Sequence, residues 1–167
     1  MYQLEAIQHR DITSKQLTEI IYIKSQAWSY SYSAQRQWIV DNIVNEDFHL
    51  LLKKDNEFVA YLNLIDIEVR IDNEPLNMFG VGNVCAKEKR MGYGGRLIQA
   101  TNDFINYKKR VGLLFCKQNL IEFYSQFNWY LIDKNILSLS FDNANIHTML
   151  FNFVGKPNSI VYYGKPF

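Results

Sequence analysis

A formal net charge of only +1 over 167 residues gives the chain no global field for nucleic acid or an anionic membrane, so any anion site must be local. Histidine is scarce. His9, His49 and His147 are scattered, with no HExxH or paired Cys/His spacing, which argues against a metal centre. The two cysteines, Cys85 and Cys116, each end an apolar strand-like run and read as buried thiols rather than a disulfide. Neither has an adjacent histidine base to make it a nucleophile. The opening MYQLEAIQHR lacks an apolar signal region or spanning run, and the expected location is the cytoplasm. No internal repeat or low-complexity tract marks a second domain, so residues 1–167 read as one.

What the chain does have is a core. Apolar residues make up 48%, and at about this length folding hides roughly 70% of the unfolded surface, enough without covalent staples. Thr13 and Gln16 have capping-box spacing ahead of an apolar-periodic segment, Leu17 to Trp28, the first predicted helix. Alternating aromatics and serines interrupt the pattern at Trp28–Ser33, and a second helix is predicted near Ala34–Val44. Phe48–Lys53 and Phe58–Ile71 read as strands joined by a turn at Asp55-Asn56-Glu57. A second turn, Asp72–Pro75, leads into a strand over Leu76–Ala86. Further strands are predicted at Leu113–Cys116, Ile136–Phe141, Ile146–Phe153 and Ile160–Tyr163.

The densest information lies in residues 84–105, VCAKEKRMGYGGRLIQATNDFI. A strand end runs into a basic, glycine-rich turn and then a helix, with Leu97, Ile98, Thr101, Phe104 and Ile105 on a 3.6-residue period. A helix start offers free N–H groups and positive partial charge. Gly92, Gly94 and Gly95 leave room for close approach, and Lys87, Lys89, Arg90 and Arg96 add charge. The turn is therefore suited to a phosphate or pyrophosphate. It is neither a dinucleotide fingerprint, because Leu97 occupies the third glycine position, nor a Walker loop, because Gly-Lys-Ser/Thr is absent.

A basic residue, two spacers, Gly92, a spacer and Gly94, five residues after Val84, resembles motif A of the GNAT superfamily of acyl-CoA N-acyltransferases, Arg/Gln-x-x-Gly-x-Gly/Ala. Lys89 stands where Arg or Gln is usual, a position that can act through its backbone N–H. The downstream segment NLIEFYSQFNWYLI, residues 119–132, is similar to the superfamily's FY-x-x-x-GF segment, with Tyr124 at the tyrosine position and Trp129 at the terminal aromatic. Asn128 replaces the usual glycine and is the next best residue for left-handed geometry at a helix end. The Gly-Lys-Pro-Phe ending also resembles some members, including aminoglycoside 2'-N-acetyltransferases.

The resemblance implies an α/β (α+β) GNAT-like fold: a mixed, mostly antiparallel sheet with a splayed parallel strand pair, flanked by helices. It implies an acetyl-CoA-dependent N-acetyltransferase acting by direct transfer to a small-molecule or peptide amine, with no nucleic-acid or membrane partner and a homodimer left open. Val84, Ala86, Lys89, Arg90, Met91, Gly92, Tyr93, Gly94 and Gly95 are the implied cofactor contacts. The Val84 strand would pair with the pantetheine arm, a backbone N–H near it would face the oxyanion, and Tyr124 would protonate the leaving thiolate. The base is unassigned among Asp66, Glu68, Glu74, the terminal carboxylate of Phe167 and a water relay. Asp66, Glu68, Asp72 and Glu74 cluster on one hairpin and suggest a cationic acceptor; the loop carrying Trp28, Tyr30 and Tyr32 either walls its pocket or packs on the core. A catalytically silent acyl-CoA sensor is the alternative.

Overall fold

In the computed structural model, which describes residues 1–167, Thr13 forms the expected capping box: its hydroxyl accepts from the Gln16 backbone and the Gln16 side chain accepts from the Thr13 N–H. Helix α1 spans Ser14–Ala27, and α2 spans Tyr32–Asn42 behind the cap of Ser31. Strands β2 (Phe48–Lys54), β3 (Glu57–Ile71) and β4 (Glu74–Ala86) follow. Their two-residue turns place Asp55 and Asn56, then Asp72 and Asn73, at positive φ, the geometry that hairpin twist demands and Asn and Asp tolerate.

The chain continues through α3 (Tyr93–Tyr107), β5 (Val111–Cys116), α4 (Ile121–Ser125), β6 (Tyr130–Leu131), β7 (Leu137–Leu139), β8 (His147–Phe151) and β9 (Ile160–Tyr162). One strand was not anticipated: β1, Tyr2–Gln8, pairs antiparallel with β2 over its whole length. Its sequence gives no clean alternation because neither face is buried deeply. The nine-stranded sheet has the order β1-β2-β3-β4-β5-β8-β6, with β9 pairing β3 and β7. It is mixed: β4–β5 and β7–β9 are parallel, while β1–β2, β2–β3 and β5–β8 are antiparallel. No helix is long and apolar enough to cross a membrane.

Packing divides the chain into two compact units, residues 1–65 with 82–101 and residues 66–81 with 102–167. The first is built on Ile20, Ile21 and Ile23 of α1, Ile39 of α2, and Leu51, Tyr61 and Cys85 of the strands. In the second, Trp129 stacks on Phe151 at 5.4 Å, and Gly112 leaves the room its ring needs. A Cβ there would lie 2.6 Å from Trp129 Cη2.

Candidate active site

The parallel ladder of β4 and β5 runs from Met78–Val111 to Val81–Leu114 and ends there, although β4 continues to Ala86. Two residues on, Asn83 adopts φ 53°, which interrupts the pleat as a bulge does. Val84 and Ala86 follow, both half-buried. The Lys87 N–H donates to the Val59 carbonyl at 2.8 Å, tying the start of the turn to β3.

Beyond it Lys89, Arg90, Met91 and Gly92 are exposed, with Arg90 at φ 64° and Gly92 at φ 74°. Nothing lies within 4 Å of where a Gly92 Cβ would be, so backbone conformation rather than crowding favours glycine. The Gly92 carbonyl accepts from Arg96, which makes Gly92 the N-cap of α3 and leaves the first-turn N–H groups, including those of Gly94 and Gly95, without helical acceptors. Arg96 lies over the Tyr2 ring, and Lys87 pairs with Glu57 at 3.4 Å; Lys89 and Arg90 make no ion pair. Tyr93 is buried, edge-on to Tyr2, so it can serve an anion at this turn only through its backbone.

The same unit holds a buried polar layer that the sequence did not disclose. His9 and His49, 40 residues apart, meet at 2.9 Å, and His49 Nδ1 lies 2.8 Å from the Tyr61 hydroxyl. Cys85 Sγ donates to the Tyr61 carbonyl at 3.7 Å, and Asn83 Nδ2 donates to Asn63 Oδ1 at 2.7 Å. Lys24 of α1 is only 1% exposed, its ammonium 4.1 Å from the Trp38 ring centroid. Burial lowers the Lys24 pKa to about 8 and raises that of Cys85 to about 12, a rise the nearby Lys24 charge opposes. The available signal for Lys24 was its phase, since it continues the buried run Ile20, Ile21, Ile23.

In the second unit Tyr124 is buried on α4 and meets Phe123 and Trp129 edge-on. Burial, then the neighbouring Cys116, raises its pKa further above the phenol range, so it keeps its proton. The turn after it is tightly held. Asn128 takes φ 63°, the left-handed geometry expected of it, and Asn102 of α3 donates to the Phe127 carbonyl while accepting from Trp129 Nε1. Cys116 is a free buried thiol, like Cys85. Burial alone lifts the Cys116 pKa to about 11, which suits neither thiol to nucleophilic attack.

The acidic hairpin is partly committed. Asp66 pairs with Arg110, and Asp72 accepts from the backbone N–H groups of Asn158 and Ser159, while Glu68 and Glu74 are exposed. Tyr30 and Tyr32 project into solvent, whereas Trp28 packs against the α1 core.

The sequence model of the acetyltransferase (GNAT) domain matches residues 8–132. The chain belongs to the GNAT acetyltransferase family. Membership makes it an acyltransferase. Solved structures share its fold. Escherichia coli ElaA is 18% identical with a TM-score of 0.63, covering 90% of this chain and 99% of its own. An acyl-CoA N-acyltransferase from Pseudomonas aeruginosa is 16% identical with a TM-score of 0.64, covering 89% and 98%. The E. coli GNAT N-acetyltransferase YhbS, solved in complex with CoA, is 12% identical with a TM-score of 0.63, covering 98% and 89%. No curated protein matches the chain in sequence.

Proposed function

We propose that this GNAT chain transfers an acetyl group from acetyl-CoA to a primary amine, directly and without an acyl-enzyme. The observation that carries the reading is the exposed turn of residues 89–92 opening α3, with two left-handed residues and unpaired first-turn N–H groups beside the uncommitted charges of Lys89 and Arg90. Such a turn holds a pyrophosphate through backbone donors and local charge. The CoA-bound YhbS structure supports the same ligand class.

In this reading the β4 backbone past Val81, which has no rung with β5, accepts the pantetheine arm as an added strand. The backbone N–H near Val84 faces the developing oxyanion. Attack by the neutral amine forms the amide and breaks the thioester, and the proton lost by the nitrogen passes to water. The thiolate takes a proton from Tyr124, which stays protonated at neutral pH, and Tyr124 regains its proton from solvent. Neither cysteine is an intermediate.

The test is thiol release from acetyl-CoA in the presence of pooled amines, with product masses read in parallel. Release that requires an amine, with a 42 Da gain on that amine (the mass of an added acetyl), is the expected result. CoA binding without release from any amine leaves a sensor instead.

A further inference from the structure

In the second unit the two faces of the sheet are covered differently. Phe79 of β4 packs on Phe104 of α3 at 6.3 Å, and a Cβ at Gly112 of β5 would meet Ile105 of α3 and Trp129, which Tyr124 of α4 meets edge-on. Helices α3 and α4 therefore share the face to which Phe79 and Gly112 point. Alternation sends Gly80 and Phe115 to the opposite face. There the cover is a set of four rings: Phe115 lies 5.2 Å from Phe141, 6.2 Å from Tyr162 and 5.0 Å from Phe167.

The segment after β9 brings Phe167 to this place. Ser140 Oγ donates to the Gly164 carbonyl and the Tyr162 hydroxyl to the Lys165 carbonyl, both at 2.8 Å, so two side-chain donors fix its path. The Phe167 ring then takes the space of a side chain that Gly80 lacks: a Cβ there would lie 2.6 Å from Phe167 Cζ. Gly80 pairs with Leu113 in the parallel ladder, and Val81–Leu114 is the last rung. The rings thus stand one rung from the point where β4 and β5 stop pairing, beyond which the acyl arm is placed above. Phe115, Phe141 and Phe167 are all half-buried. No cation packs on any of the four rings, although Lys or Arg covers aromatic rings elsewhere in the chain.

We infer that Phe167 and Phe115 form the wall against which the acceptor rests, so that the substrate class is an amine carried on an aromatic body, an arylalkylamine-like molecule rather than a polyamine. The inference rests on the acyl-transfer reading above. With Tyr124 and the helices on one face, the nucleophile meets the planar thioester from the other, where the rings stand. The rings already meet one another at tilts between 33° and 89°, and a further ring joins such a set offset or edge-on. A polyamine would need opposing charge at several points, and the wall carries none. No covalent step beyond the transfer already described is involved.

The experiment compares 2-phenylethylamine, tyramine and tryptamine with propylamine and spermidine, measured as thiol release from acetyl-CoA and as the shift in melting temperature of the CoA-saturated protein. The expected result in the unmodified protein, which needs no variant, is a kcat/KM at least about 10-fold higher for the best aromatic amine than for propylamine or spermidine. Phe167→Ala should lower that ratio at least about threefold. Gly80→Ala, whose Cβ displaces the Phe167 ring, should do the same, yet have no further effect on the ratio in a Phe167→Ala background, because the ring it would displace is gone. Equal turnover of aromatic and aliphatic amines, a preference for spermidine, or an undiminished ratio in both folded single variants rejects the wall and leaves the transfer reaction standing. Melting shifts confined to the aromatic amines, with no thiol release from any amine, support the wall and reject the reaction. Absence of both effects rejects both.

Discussion

Acidification should destabilise this protein through His49. The ring is 0% exposed, with one nitrogen on the Tyr61 hydroxyl and the other on His9. Tyr61 has no other acceptor, so its hydroxyl donates to His49 Nδ1, and His49 carries its proton on Nε2 and donates to His9 Nδ1. A second proton would put an N–H on Nδ1 against a hydroxyl that already donates. Burial first, then His9 and Lys24, lowers the His49 pKa from 6.5 to about 3. The unfolded chain therefore takes up a proton near its ordinary pKa while the folded chain does not, and stability falls with pH across the window between those values. At about pH 5, some 1.5 units below the unfolded pKa, the loss is about 2 kcal/mol. Urea unfolding of the wild type and of His49→Gln, which carries no titratable group, measures it. The wild type should lose about 2 kcal/mol more than the variant between about pH 7.5 and pH 5. Equal losses in the two proteins would refute the buried neutral histidine.

Gly112→Ala should cost about 1–3 kcal/mol by calorimetry, because its Cβ would lie 2.6 Å from Trp129 and 3.2 Å from Ile105. At Asn128, φ 63°, replacement by Gly should be neutral or slightly stabilising in thermal melts, whereas Val should cost about 1–2 kcal/mol or more. Tyr124→Phe keeps the buried ring and deletes the proton donor. Its melting temperature and CoA affinity should barely change while kcat falls about 100-fold, and full activity in that variant or an acetylated cysteine during turnover would overturn the assignment.

Where side-chain chemistry acts locally, the sequence spoke clearly. Thr13 and Gln16 are a capping box in sequence and in space, and the Asp-Asn pairs at 55–56 and 72–73 mark their hairpin turns because few other residues accept positive φ twice in succession. The glycine turn and Asn128 are legible for the same reason. Elements that exist only through partners were harder to see. β1 is a strand because β2 runs beside it, and its own residues, half-exposed on both faces, carry no period-2 signal. The predicted strands near residues 136–141 and 160–163 shrink to the three-residue β7 and β9, which pair with each other. Lys24 shares the helical phase of the buried Ile20, but a lysine near the end of a helix ordinarily faces water, and only the packing of α1 shows it buried. The His9–His49 contact joins positions 40 residues apart, which no local pattern encodes.

The central claim is that the turn opening α3 binds the acyl donor. Calorimetric titration of acetyl-CoA into the wild type and into Gly94→Val tests it most directly, since a branched side chain at the first helical turn would stand between the backbone donors and a pyrophosphate. The account predicts saturable binding by the wild type and an affinity at least about tenfold weaker in a variant whose circular dichroism is unchanged. Undiminished affinity in the folded variant, or no binding by the wild type, would contradict it.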